Sequence, residues 1–189
     1  MPAESLFVAQ MARLYLAAPG TVAPTDPVAA MPAGWKEAGL FKPGSLEWNT
    51  DPKFEDLKSH QLRYAARTIQ TEDAATVKVE LQEWNAGNII ATYGGGEVTS
   101  VTQNGKTFYR YSPPKVGGRK PFAAVVELID GAKHYRRIVP LCDQVASVAQ
   151  KYPNDAESTL PLELKVLGGE GTDPWYDLTD DPGFAPAAA

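Results

Sequence analysis

Cysteine is nearly missing from these 189 residues, with Cys142 standing alone. A single thiol can form neither an internal disulfide nor a thiolate metal cage. Histidine is almost as scarce: His60 and His134 are the only two, and no Ser or Cys near either has the local context of a hydrolytic triad. Long apolar runs are lacking as well. The stretch from Phe122 to Val126 is among the longest at five residues, whereas a helix crossing a bilayer needs about 20, so no membrane insertion is expected. The N-terminus has no basic leader region: Glu4 occupies that place, and Gln10 and Arg13 interrupt the apolar stretch, which argues against a secretory signal. What the chain does have is 43% apolar residues, 16 glycines and 16 prolines. That is the composition of a folded, turn-rich protein, and turn richness favours strands.

Charge is unevenly spread. Residues 154–189 carry eight acids, among them Asp173 and Asp177, against the single base Lys165. The stretch 106–120 holds Lys106, Arg110, Lys115, Arg119 and Lys120, with no acid between Glu97 and Glu127. Tyr109 and Tyr111 interleave with these cations in the manner of a nucleic-acid patch. The overall pI near 5.1 and the lack of a nucleic-acid motif favour a solvated hairpin rim, or a contact with an acidic segment.

Periodicity predicts a mainly β chain. Residues 5–17 read as a long first strand with apolar residues on both parities, a short helix being the alternative. Residues 19–32 read as an exposed loop. Residues 35–41 and 45–50 read as a hairpin around Lys42-Pro43-Gly44. The charged run Asp51, Pro52, Lys53, Phe54, Glu55, Asp56, Leu57, Lys58 opens with a proline that discourages strand pairing and reads as a second long loop, reaching His60. Residues 62–70 and 76–83 read as a further strand pair, the second with Val77, Val79 and Leu81 alternating against Lys78, Glu80 and Gln82. One helix is predicted, residues 85–93, capped by Asn85, with Ile89, Ile90 and Tyr93 on one face and Gly94-Gly95-Gly96 ending it. Hairpins are expected around Asn104-Gly105 and Asp130-Gly131. Strands at 145–149, 160–167 and 175–178 complete an antiparallel β-sandwich or half-barrel with one short α-helix, and residues 182–189 are expected to fray.

No catalytic constellation emerges. The triple glycine follows a helix, whereas phosphate-cradling loops precede one. Asp173, Asp177, Asp180 and Asp181 lack the spacing of a calcium loop. The pairs Glu55-Asp56 and Glu72-Asp73 fall in predicted loops, where a shared proton would be accidental. Neither an enzyme nor a cofactor or metal site is expected.

The order of the pieces is more informative than any one of them. The run Met31-Pro-Ala-Gly-Trp-Lys-Glu-Ala-Gly-Leu-Phe, followed by Gly44-Ser-Leu-Glu-Trp, a charged loop, a strand through Arg67, the strand 76–83 and the helix 85–94, resembles the major tail protein of long-tailed double-stranded DNA bacteriophages. Its most specific part is Pro32, Gly34, Trp35, Lys36 and Gly39. The likeness is sharpest over residues 31–96 and looser over nearly all of the rest. It implies a single tail tube domain over residues 1–189, with long loops near 18–34 and 51–60 and an acidic C-terminal arm at 168–189; the immunoglobulin-like domain that many relatives carry is not expected.

The resemblance also implies a structural virion protein. Copies would join sheets in six-membered rings, and the rings would stack into a tube, assembled in the host cytoplasm, that conducts DNA during ejection. Its partners would be itself, a tape-measure protein, and the tail terminator and distal tail proteins, with DNA passing through unbound. Residues 51–58 would contact neighbouring subunits or rings. The cations Arg110, Lys115, Arg119 and Lys120 would meet acids such as Asp173 and Asp177 across subunits. Glu80, Gln82, Glu127 and Asp130 are candidates for a neutral-to-acidic bore. The competing functions are a small-molecule-binding β-barrel, suggested only by strand number and by Trp35, Trp48, Trp84 and Trp175, and the inner tube of a contractile tail or secretion apparatus.

Overall fold

The computed structural model describes residues 6–169 and 171–186. Twelve strands and one helix follow one another as β1 (Met11–Ala17), β2 (Lys36–Glu37), β3 (Glu47–Thr50), β4 (Lys53–Leu57), β5 (Arg67–Glu72), β6 (Ala75–Leu81), α1 (Ala86–Thr92), β7 (Glu97–Gln103), β8 (Lys106–Ser112), β9 (Phe122–Asp130), β10 (Lys133–Gln144), β11 (Leu160–Val166) and β12 (Tyr176–Thr179). Eight of the strands form one antiparallel sheet in the order β2-β1-β9-β10-β11-β6-β3, with β12 paired to β10. The other four make two separate hairpins, β4-β5 and β7-β8.

The sheet bends at β10, where the register to β9 shifts between Val139 and Cys142. Pro140 lies in that gap and cannot donate to the ladder, as expected of a proline at a bulge. Bending brings the two ends of the sheet together, and the chain between β2 and β3 joins them. Ala38 N–H donates to Leu14 O (2.8 Å) on β1, while Gln82 N–H donates to Leu40 O (2.9 Å) and Lys42 N–H to Glu80 O (2.9 Å) at the β6 end. One continuous segment thus bridges the two ends of the sheet and closes it into a barrel.

Alternation along β6 and β11 follows the half-buried rule: Val77, Val79 and Leu81, with Leu160, Leu162 and Leu164, point into the barrel and are buried. They meet Leu14, Ala124, Val139 and Cys142 there. β1, β9 and β10 are covered on both faces, because Tyr15, Val125 and Ile138 pack outward beneath Ala23, Met31, Trp35, Tyr176 and Leu178. This explains the apolar residues on both parities of the first segment, although the strand begins only at Met11; Ser5 lies outside the described residues.

Several expectations are corrected. Residues 35–41 and 45–50 do not pair with each other; β2 joins β1 and β3 joins β6. The turn between them matched hairpin grammar, but burying Ala38, Phe41 and Trp48 against the core decides the pairing. Residues 51–58 are not a loop. Pro52 ends the barrel strand, and pairing resumes one residue later as β4, which lies against β5. β6 consequently pairs with β11 and β3 and not with β5. No strand forms at 145–149. The hairpin β7-β8 forms as expected, with Asn104 (φ 52°) and Gly105 (φ 74°) both in the left-handed region. The β9-β10 turn sits one residue later than expected, since Asp130 pairs with Lys133.

The helix is capped by the Asn85 side chain, which accepts from Asn88 N–H, but its buried residues are Asn88, Ala91 and Thr92, with Ile89 only partly covered. At the C-terminus β12 forms where expected, and Pro182–Phe184 adds a 3-10 turn.

Candidate assembly surfaces

Glycine 39 explains why the motif segment closes the barrel. Its φ is +75°, and a Cβ built there would lie 2.3 Å from the Glu83 carboxylate, which itself accepts the Leu40 N–H at 2.9 Å. Beside it Ala38 is buried, and its carbonyl accepts from the Asn88 side-chain amide at 2.8 Å; the same amide donates to Glu83 O at 2.8 Å. Asn88, 3% exposed, therefore ties the helix to the closing segment. Sequence reasoning missed this residue because a polar side chain within a short helix gives no periodic signal. Upstream, Gly34 turns at φ +97°, and the Trp35 indole N–H donates to Val22 O at 2.8 Å. Pro32 O accepts the Trp35 N–H across that turn, and Lys36 starts β2. The motif residues build the subunit's closure.

Loop 18–34 is strapped across the outer face of β1, β9 and β10. Asp26 accepts the N–H groups of Val28 (2.6 Å) and Ala29 (2.9 Å), which lowers its pKa, and its carbonyl receives Arg136 Nη1 at 2.7 Å. Arg136 also donates through Nε (2.8 Å) and Nη2 (2.6 Å) to Glu127 Oε1. Both residues are buried, at 3% exposure each. Glu127 is therefore an internal anchor of the strap and not a wall residue of the kind expected from the sequence. Of the other bore candidates, Asp130 accepts from Val8 N–H and Gln10, Glu80 pairs with Lys42 at 3.4 Å, and Gln82 contacts Glu157; all three are half-buried at the surface.

The acidic C-terminal segment folds onto its own subunit. Arg137 forks onto Asp177 with bonds of 2.8 and 2.9 Å. His134 meets Asp180 at 2.9 Å and Lys133 meets Asp181 at 2.9 Å. The Arg137 guanidinium also lies 4.3 Å from the Trp48 ring centroid and 4.7 Å from that of Trp175, a cation held between aromatic faces. Asp173 is exposed, and Glu170 lies outside the described residues. In the basic stretch, Arg119 donates to Gln144 O at 2.8 Å, while Arg110, Lys115 and Lys120 are exposed. Among the expected charge contacts, Asp177 and Arg119 are thus engaged within the subunit.

An apolar cavity of about 310 Å³ is lined by Ala12, Phe41, Leu46, Trp48, Val126 and Leu128 among others. Its charged lining groups are Glu47 and Arg137, and Arg137 is already committed to Asp177. Ligand pockets orient their occupants with convergent, unspent polar groups, and among the described residues the one buried side-chain polar atom without a partner is Thr92 Oγ1, which is not in this lining. No group of three or more potential metal ligands occurs among the described residues.

The two hairpins contrast with all of this. Every residue of β4 is exposed, and β5 has only Ile69 partly covered. In β7-β8 the covered positions are Val98 and the base residues Tyr111 and Ser112. Tyr111 stacks on Tyr93 at 5.6 Å and donates to Gly95 O at 2.8 Å, which fixes that hairpin's root to the helix end. Phe54, Leu57, Leu62, Tyr64, Val101, Phe108 and Tyr109 remain exposed. An isolated two-stranded hairpin is marginal in water, so arms of this kind point to a partner surface.

A closed barrel carrying two exposed hairpins has the form of a building block. The phage tail tube protein family model matches residues 1–189. The chain belongs to that family. No curated protein matches the sequence. Membership makes the protein a structural component of the virion tail and not an enzyme.

Proposed function

We propose that copies of this tail tube protein close into six-membered rings, that the rings stack, and that the resulting bore conducts double-stranded DNA during ejection while a tape-measure protein fills it during assembly. Terminator and distal tail proteins would cap the two ends, and assembly would take place in the host cytoplasm. The observation that carries the reading is the pair of exposed hairpins rooted on a barrel that has stitched its own edges together. Polymerisation through the main sheet would leave the arms idle, whereas polymerisation through the arms covers their apolar residues and their free backbone edges.

The bore follows from charge. A cationic wall would bind phosphates and release counterions, gripping DNA in a salt-dependent manner that opposes transit. Glu80, Gln82 and Asp130 remain the candidate lining groups, and Arg110, Lys115 and Lys120 are assigned to contacts between subunits. Replacing residues 53–72 by a short glycine-serine linker tests the arm directly, because β4 and β5 contribute nothing to the barrel sheet. The shortened protein is expected to keep the thermal transition of the barrel and to sediment as a monomer at concentrations where the full chain forms tubes. Normal tube formation by the shortened protein would refute the role of this arm.

A further inference from the structure

The β4-β5 arm is electrically polarised. From Leu57 to Thr71 the chain carries Lys58, Arg63 and Arg67 and no acid, whereas the stretches 51–56 and 72–73 on either side carry Asp51, Glu55, Asp56, Glu72 and Asp73 with Lys53 as their only base. Lys53 is bound to Glu72 at 2.5 Å, and Asp56 accepts the Thr68 hydroxyl at 2.7 Å. That leaves three carboxylates below the tip, Asp51 and Asp73 at the root and Glu55 midway along β4, and three cations towards the tip, with no ion pair among the described residues for any of the six. The tip has a defined shape: Ala66 N–H donates to Leu57 O at 2.8 Å and Leu62 N–H to Ser59 O at 3.1 Å. It also presents Leu62 (56% exposed) and Tyr64 (81%) to solvent.

Glu55 and Lys58 are three residues apart, about 10 Å along the chain. Arg67, opposite Leu57, is the diagonal cross-strand neighbour of Glu55, opposite Ile69, yet no ion pair joins them, so both charges stay available to a second copy. We propose that the tip of one arm docks on the root side of the arm of a second copy, so that Lys58, Arg63 and Arg67 face Asp51, Glu55 and Asp73 of the next subunit. Such a contact is heterologous, head to tail, and propagates from copy to copy as a ring or stacked array requires. Opposite patches set register and speed encounter even where single exposed pairs add little stability, and the exposed apolar residues of the tip lose solvent in the same step. The inference rests on the proposal that the protein polymerises through its arms and names the surface that receives one of them.

Charge reversal tests it. Lys58→Glu with Arg63→Glu reverses the tip, Glu55→Lys with Asp73→Lys reverses the root side, and a third protein carries all four changes. Light scattering follows polymerisation at 50 mM and 500 mM salt, and circular dichroism verifies each fold. Each reversed pair is expected to slow assembly about tenfold at low salt and much less at high salt, where exposed charges are screened, and the fourfold variant is expected to recover most of the wild-type rate because tip and root are again opposite. An equimolar mixture of the tip-reversed and root-reversed proteins is expected to assemble faster than either alone. A fourfold variant as slow as the worse pair, or reversed pairs that assemble like wild type, overturns the docking. Failure of the wild-type protein to polymerise at all would instead overturn the tube reading on which the docking depends.

Discussion

Replacing Arg136 by Met should be among the most damaging single changes in this subunit. Arg136 donates twice to Glu127 Oε1 (2.8 and 2.6 Å) and once to Asp26 O (2.7 Å), and both Arg136 and Glu127 are 3% exposed. Removing one member of a buried ion pair usually costs about 3–5 kcal/mol, because the remaining charge is left without water or counter-charge. Glu127 would retain Arg13 Nη1 at 3.4 Å and the Tyr15 hydroxyl at 3.5 Å. Arg13, however, is 40% exposed and therefore screened, so the cost should fall toward the lower end, about 3 kcal/mol. For a chain of this length that lowers the melting temperature by roughly 6–12 °C. Urea unfolding measures the loss, and amide exchange across residues 18–34 should accelerate because the strap loses its bond at Asp26. Adding Glu127→Gln to the same chain removes the stranded carboxylate, so the double variant should recover at least half of the deficit. A loss below about 1 kcal/mol for Arg136→Met would refute the argument that the buried pair holds the strap.

Further outcomes follow from other sites. Gly39→Ala forces a methyl group into the Glu83 carboxylate at a positive φ; calorimetry should show a loss of about 2–4 kcal/mol, and Gly20→Ala, also at positive φ but with open space around it, should lose less. Burial pushes the Cys142 thiol up to about 12, so a thiol reagent at pH 8 should label it only after unfolding, and fast labelling of the native protein would contradict its place in the core. Asp180 is held below its ordinary value of 3.8 chiefly by the His134 N–H, and Asp181 by the Gly183 N–H and then Lys133. A carboxylate with a lowered folded pKa stabilises fully above its unfolded value and loses that contribution as pH falls through the folded one. Protection of the β12 amides, measured relative to their intrinsic exchange rates, should therefore fall below about pH 4. Arg137→Ala removes the fork to Asp177 and the contacts with Trp48 and Trp175, and tryptophan fluorescence should shift to the red with a stability loss of about 3 kcal/mol.

Local grammar was legible where the determinants are local. The Asn104-Gly105 hairpin needs two residues that tolerate positive φ, and the sequence supplies them adjacent to each other. The helix announces its cap at Asn85 and its stop at Gly94, and β6 and β11 alternate cleanly because one face of each is wet. Pairing between distant segments was less legible. Lys42-Pro43-Gly44 looks like the centre of a hairpin, yet its flanks belong to strands paired at opposite ends of the sheet, a choice made by barrel closure. Pro52 masked β4, because the proline marks where the chain leaves the barrel and not the absence of pairing. Glu127 alternates like a surface residue, and only the strap laid over it by residues 18–34 turns it into a buried anchor. The motif around Trp35 and Gly39 identified the family from sequence, while its physical role, closing the sheet over Glu83 and Asn88, depends on residues more than forty positions away.

The central claim is that this subunit polymerises into a hollow tube, and electron cryo-microscopy of the concentrated, purified protein addresses it most directly. The account predicts stacked rings of six copies, with the β4-β5 arm of each copy ordered against its neighbour and no cluster of Arg110, Lys115 and Lys120 lining the bore. Filaments whose arms hang free in solvent, a bore walled by those cations, or a protein that stays monomeric under every nucleating condition would contradict it.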